Sequence, residues 1–323
     1  MLTYLLFVLG FPLLIGGAHF LVEGSAAIAR RMRISDLIIG LTVVSLGTSA
    51  PELVISLLSS ISGANDLALG NIIGSNISNT LLILGAAALI RPLVIQRNTL
   101  YKEIPFMLFA TLLLGVMVND EFLASASPGG PELGRGDGLI LLIFFSVFSY
   151  YLFSVTRKEK ELPPVEIPHQ RALSWGPALL MVSGGVVGLA IGGHWIVDGA
   201  VLLARQAGLS EAMIGLTVLA VGSSLPELAA GAMAAYRGNS DIAIGNVVGS
   251  NIVNILWILG LAATITPIGF NRMLNLDLVI LIAVTLALFM LIFVGRHLRL
   301  GRIEGGLGLA AYATYIIMII IRG

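Results

Sequence analysis

The chain of 323 residues contains no cysteine. Disulfides, thiolate metal sites and cysteine nucleophiles are therefore excluded, and cysteine usage gives no clue to the redox compartment. Charge is scarce as well. Asp, Glu, Lys and Arg make up 11% of the residues, against about 25% in an average soluble domain. The charges cancel to a net charge of zero, so no basic footprint for a nucleic acid is present. Apolar residues take their place, at 57% of the chain. That balance describes an all-α membrane protein whose main partner is the lipid bilayer. Met1-Leu2-Thr3-Tyr4 lacks a basic n-region, so the first apolar stretch reads as a retained helix.

A spanning helix needs about 20 residues. Ten stretches qualify, at roughly 2–29, 36–60, 66–90, 103–118, 137–155, 175–204, 211–235, 241–265, 276–294 and 304–321. A charged, proline-containing stretch from Arg157 to Arg171 divides them into two fives. The expected organisation is a first five-span half over 1–156, a cytoplasmic linker over 157–174 and a second half over 175–323. Putting both termini outside leaves only Arg135, Arg205, Arg272 and Arg322 on the outer face, and the other fourteen of the 18 basic residues inside. Five spans is an odd number, so the second half enters from the opposite side and the two halves form inverted repeats. The expected location is the cell (inner) membrane.

The halves are related in sequence. Shifting the chain by 175 positions lays Gly40–Pro92 on Gly215–Pro267 without a gap, and 27 of the 53 positions are identical. Gly47-Thr-Ser-Ala-Pro-Glu52 falls on Gly222-Ser-Ser-Leu-Pro-Glu227, and Asn71-Ile-Ile-Gly-Ser-Asn-Ile-Ser-Asn79 on Asn246-Val-Val-Gly-Ser-Asn-Ile-Val-Asn254. A polar cluster duplicated at membrane depth marks a transporter built from two halves around one central site.

Within the second span Ser45, Thr48, Ser49 and Glu52 share one helical face. Pro51 interrupts that helix by withholding a donor, so carbonyls near Ser45 are expected to be freed for a cation. Ala220, Ser223, Ser224, Pro226 and Glu227 repeat the pattern in the seventh span, and Ala for Ser costs nothing where only a carbonyl is used. The third and eighth spans add Ser75 and Asn79, and Ser250 and Asn254, again four apart. Gly70 and Gly74, like Gly245 and Gly249, are spaced for close helix approach. One buried serine alone reads as ordinary interhelical hydrogen bonding. The two glutamates need more, because no Lys or Arg lies in the four central spans and a charge at this depth costs about 2.5–3.5 kcal/mol on insertion scales. Protons, a cation or water must compensate them. Oxygen ligands fit calcium and sodium; magnesium sheds water reluctantly, and the absence of cysteine from the chain and of histidine from these spans argues against zinc or copper. One Ca²⁺ or two Na⁺ neutralise a site of charge −2, which makes competition between the ions, and antiport, the natural working hypothesis.

These duplicated motifs resemble those of the sodium/calcium exchangers within the cation/calcium antiporter superfamily, and the chain is most similar to the compact bacterial branch. The resemblance implies ten helices, with broken second and seventh helices and four central spans around the ions. It also implies that Glu52 and Glu227 bind the transported calcium and sodium, with Thr48 and Ser223 beside them as metal ligands. Ser49, Ser224, Ser75 and Ser250 would supply further hydroxyls, and Ser45 and Ala220 backbone carbonyls. Some relatives carry aspartate at the position of Asn254, and in potassium-dependent exchangers that aspartate is tied to potassium coupling. Asn79 and Asn254 therefore imply potassium-independent exchange. Separately, the protein is expected to be no enzyme, to need no cofactor and to work as a monomer.

Other polar residues are read as structural. His19 and His194 obey the 175 shift and read as interfacial anchors, with Arg30 and Arg205 placed to serve Glu23 and Asp198. Asp66 and Asp241 read as helix-start caps, and Glu103 and Asp277 as span ends. Three rival functions remain: a calcium/proton antiporter using the same glutamates, a cation channel, and an intramembrane enzyme. The last lacks a histidine or lysine base in the relevant spans and a Gly-x-Ser-x-Gly elbow.

Overall fold

A computed structural model describes residues 2–119, 131–161, 173–206, 208, 220–294 and 298–322. Nearly all of it is helical. The first half comprises α1 (Leu2–Met32), α2 (Asp36–Ile39), α3 (Ser45–Thr48), α4 (Ala50–Ile61), α5 (Asn65–Ser78), α6 (Leu84–Ile90), α7 (Ile104–Met117) and α8 (Arg135–Glu161). The second comprises α9 (Trp175–Gln206), α10 (Ala220–Ser223), α11 (Leu225–Tyr236), α12 (Ser240–Ile252), α13 (Gly260–Ile265), α14 (Asn275–Val294) and α15 (Arg302–Arg322).

Eight of the described helical runs are long and apolar enough to cross a membrane. A ninth is the broken run Asp36–Thr48 plus Ala50–Ile61, bent by 49°. The expected seventh span begins in a stretch outside the described residues; from Ala220 onward it is helical, with the same break after Ser223. The spans expected at 2–29, 103–118 and 137–155 are longer than expected, at Leu2–Met32, Thr99–Met117 and Arg135–Arg157.

The sequence repeat is a repeat of backbone geometry. α3, α4 and the start of α5 recur 175 residues later as α10, α11 and the start of α12. Each α4-type helix ends in a left-handed glycine, Gly63 at φ 76° and Gly238 at φ 77°, a conformation that costs glycine little. Arg33 (φ 56°) and Gly208 (φ 80°) form another such pair.

Burial separates the centre from the rim. The runs Asn65–Ile90 and Ser240–Ile265 are 72% and 94% buried along their most apolar parts, whereas Arg135–Arg157 and Arg302–Arg322 are only 22% buried. α1 lies along α9 on a glycine stripe. A Cβ on Gly17 would stand 2.7 Å from the Leu189 nitrogen, and one on Gly185 2.6 Å from that of Leu21. Only glycine permits this approach. Two short antiparallel pairs tie the halves together at their ends: β1 (Leu93–Val94) with β4 (Arg299–Leu300), and β2 (Glu132–Leu133) with β3 (Ile268–Gly269).

Gly245 and Gly249 do permit the expected close approach. Added Cβ atoms would sit 2.8 Å from the Leu37 carbonyl and 2.8 Å from the Leu41 Cα. Gly70 and Gly74 meet nothing within 4 Å among the described residues. The image of the Leu37–Leu41 segment falls at 212–216, outside them.

Candidate cation site

The break in the second span falls at Ser49, which leaves helical geometry at φ −79° and ψ 8°; Ser224 does the same at φ −88° and ψ 7°. Two residues later, in each copy, a proline sits in the first turn of the resumed helix, where its missing N–H is no loss. Glu52 and Glu227 follow it in that first turn, where free backbone amides favour negative charge. The repeated Ser-x-Pro-Glu thus turns a transmembrane run into two short helices and aims a carboxylate at the joint.

Both glutamates are 1% exposed and close enough for their charges to interact. Ser49 Oγ donates to Glu227 Oε1 at 3.2 Å. Thr48 also adjoins Glu227, and Ser75 adjoins Glu52. Thr48 Oγ1 donates to Asn246 Oδ1 at 3.1 Å, and the Asn246 amide reaches the Glu227 carbonyl at 3.4 Å. Thr48, Ser49, Ser224, Ser45, Ser75, Ser250, Asn79 and Asn254 are all buried; Ser223 is half-buried. Ala220 opens α10, and its side chain lies outside the described residues.

Seven buried oxygens here have no hydrogen-bond partner: Glu52 Oε2, Glu227 Oε2, Ser75 Oγ, Ser250 Oγ, Ser224 Oγ, Asn79 Oδ1 and Asn254 Oδ1. Six of them form three pairs related by the 175 shift. An unsatisfied buried polar group costs about 1–3 kcal/mol, and proteins hold few of them. Such a concentration, drawn from the repeated segments of both halves, calls for a positively charged occupant. Among the described residues no group of three or more His, Cys, Asp or Glu forms. Two carboxylates and neutral oxygens are the donor set, a set suited to hard cations.

The asparagines weld the halves together. Asn76 Nδ2 donates to the Asn251 carbonyl at 3.3 Å, and Asn251 Nδ2 to the Asn76 carbonyl at 3.4 Å. Asn79 Nδ2 donates to Asn251 Oδ1 at 3.0 Å, and Asn254 Nδ2 to Asn76 Oδ1 at 2.9 Å. Each bond becomes its counterpart on exchanging the halves, the signature of a two-fold contact. Thr80 Oγ1 also donates to the Asn76 carbonyl, at 2.9 Å. Extra donors on that carbonyl loosen the helical ladder, and a π turn starts at Asn79. A second π turn, Val253–Leu259, holds Asn254. Such turns frequently mark functional sites; nothing in the hydrophobic period announces them.

Several expectations need correction. The Ser45 carbonyl is not freed by Pro51. It accepts the Ser49 amide at 3.0 Å, because the helix breaks after Thr48 and the turn before it stays intact, and the Thr48 hydroxyl reaches the same oxygen at 3.4 Å. Glu23 pairs with Arg237 at 3.7 Å, and Asp198 with His194 at 3.3 Å. Arg237 also meets His19. Asp66 and Asp241 lie in first turns but bind loops of the opposite half, through Asn271 at 2.9 Å and Gln96 at 2.7 Å. The side-chain cap on α12 is Asn239. Glu103 and Asp277 do lie near the starts of the runs Thr99–Met117 and Arg272–Phe293, but not as bare solvated ends. Both are buried, Glu103 against the Tyr151 hydroxyl and Asp277 between Tyr315 at 3.1 Å and Arg322 at 2.7 Å.

Residues 2–154 and 177–321 match the family described as sodium/calcium exchanger protein. The chain belongs to that family. It is 36% identical over 275 residues to the inner membrane protein YrbG of Escherichia coli K12, covering 83% of this chain and 81% of that one. It is 30% identical over 344 residues to the sodium/calcium exchanger MaX1 of Methanosarcina acetivorans, covering 98% of each. Its fold matches a structure of the sodium-calcium exchanger NCX_Mj soaked with Na⁺ and Sr²⁺, with a TM-score of 0.82, 31% identity and 98% of both chains covered. The family member is thus a cation/calcium antiporter by kinship, with a helical membrane fold of the NCX_Mj type.

Proposed function

We propose that this protein exchanges sodium for calcium across the inner membrane by alternating access, independently of potassium and as a monomer. Its ten spans form two inverted five-helix repeats, over 1–156 and 175–323, joined by a cytoplasmic linker at 157–174, with both termini outside. One observation carries the reading. Seven buried oxygens without a hydrogen-bond partner, two of them carboxylate, come from the repeated segments of both halves. The reciprocal asparagine bonds support a two-fold relation between the repeats.

Glu52 and Glu227 supply a charge of −2 when ionised. One Ca²⁺ cancels it; so do two Na⁺, while a third Na⁺ has only neutral oxygens such as those of Asn79, Asn254 and Ser45. Calcium prefers 6–8 oxygens in flexible geometry, which two carboxylates with Thr48, Ser223 and the serine hydroxyls of both halves supply. Because both ions need the same carboxylates, they compete. A loaded site is neutral and crosses between conformations cheaply; an unloaded site carries buried charge and does not. That difference couples the two fluxes, and the break at Ser49 and Ser224 gives each half a joint at which to rearrange.

The test is ⁴⁵Ca uptake into proteoliposomes driven by an outward sodium gradient, without potassium. Wild type takes up calcium, and Glu52→Gln and Glu227→Gln do not. Uptake that persists without sodium and collapses with a protonophore would replace sodium by protons. Sustained single-channel current would replace the carrier by a pore.

A further inference from the structure

The orientation of a carboxamide decides whether it offers a cation an oxygen or repels it with an N–H group. Asn79 and Asn254 both turn their oxygens toward no protein donor, and a chain of bonds dictates this. The Asn251 amide nitrogen faces three acceptors: the Asn76 carbonyl at 3.4 Å, Thr80 Oγ1 at 2.9 Å and Met107 Sδ at 3.4 Å. The Thr80 proton is already committed to the Asn76 carbonyl. Flipping Asn251 would set oxygen against these acceptors. Its Oδ1 must therefore face Asn79, which can answer only with its NH₂ group. The other half repeats the logic. Asn76 Nδ2 is held by the Asn251 carbonyl, so Asn76 Oδ1 faces Asn254 and takes its NH₂. A backbone carbonyl, which can only accept, anchors each chain.

We propose that Asn76 and Asn251 are positioning residues that lock the Asn79 and Asn254 carboxamides oxygen-inward, so that the site presents an all-oxygen lining to the transported cation. The proposal rests on the cation-exchange reading above and deepens it. Asn76 and Asn251 do not themselves touch the cation. Each is 0–1% exposed, with its polar atoms spent on the opposite half. The same two residues thereby join the halves and orient the ligands, so the lining is set at the seam between the repeats.

The test is a pair of double-mutant cycles on the full-length protein. Calcium affinity is read from the rise in thermal midpoint over a calcium series, alongside sodium-driven ⁴⁵Ca uptake. Asn251→Leu is expected to weaken apparent calcium affinity by about tenfold or more, the usual scale for lost outer-shell support. In an Asn79→Asp background the same substitution should cost less than about threefold, since a carboxylate presents oxygen whichever way it turns. Asn76→Leu with and without Asn254→Asp repeats the experiment through the other half, should one variant fail to fold. Equal losses in both backgrounds would overturn the positioning role while leaving the exchange reading intact. A wild type that binds no calcium would overturn both. Calcium binding without sodium-driven uptake would remove exchange alone, and the cycles would still decide the role of the two asparagines.

Discussion

Replacing Glu52 or Glu227 by glutamine should stabilise the ion-free protein while abolishing its response to calcium. Both side chains are 1% exposed, and each has a carboxylate oxygen with no partner. An acid at this depth costs about 2.5–3.5 kcal/mol on insertion scales, and a second acid close by adds to it. An amide of the same shape costs less, so each substitution should gain on the order of 1 kcal/mol without ions. In Glu227→Gln the amide oxygen still accepts from Ser49, whose bond to Glu227 is 3.2 Å, so no packing is lost. The ion-bound comparison runs the other way. Calcium at one hundred times its dissociation constant stabilises wild type by about 2.7 kcal/mol, and a site holding one carboxylate forfeits most of that. The ranking of thermal midpoints therefore inverts on adding calcium. Detergent-solubilised protein can be followed through its three tryptophans; the lack of cysteine rules out thiol-reactive dyes. Glutamates that merely brace the helices would give lower midpoints in the absence of ions and parallel shifts with calcium. That result would refute the reasoning.

Gly17→Ala and Gly185→Ala should each lower the thermal midpoint, since their Cβ atoms would lie 2.7 and 2.6 Å from backbone nitrogens of the facing helix. Overpacking of this kind costs about 1–3 kcal/mol, whereas Gly16→Ala, with nothing within 4 Å of its Cβ, should leave the midpoint unchanged. On the cysteine-free background, Ser62→Cys should react with an impermeant maleimide from outside the cell and its repeat image Arg237→Cys only from inside; labelling of both from one side would exclude inverted repeats. Arg237 gives up a partly exposed ion pair in this test, a loss worth little. Asn246→Ala should weaken calcium affinity about tenfold or more, because Asn246 links the Thr48 hydroxyl to the Glu227 backbone. Asn71→Ala should change it by less than about threefold, because the Asn71 amide is spent on Ser56 at 3.2 Å.

The sequence repeat predicts the local geometry of the breaks because each depends on neighbours in the chain. Ser-x-Pro-Glu carries its own interruption, and Gly63 and Gly238 their own left-handed turns. Apolar stretches of spanning length locate the described helices within a few residues for the same reason. Identity between the copies cannot say which partner a side chain finds across the fold. Asn71 and Asn246 are equivalent in sequence, yet residue 56 is a serine and its image, residue 231, a glycine. In the first copy the asparagine NH₂ therefore finds the Ser56 hydroxyl, while in the second it reaches the Glu227 carbonyl. Asp66 and Asp241 look like caps because helix starts favour acids, but the loops that claim them arrive from the opposite half. Glu103 and Asp277 do lie near span ends, but the tyrosines that bury them come from the next helix. In each case a local rule names the residue correctly and a long-range contact sets its role. An exchanger benefits from that division. A strictly symmetric site would make its inward-open and outward-open forms equal in energy, and differences such as Ser56 against Gly231 would let one form be favoured without altering the two glutamates proposed to hold the ions.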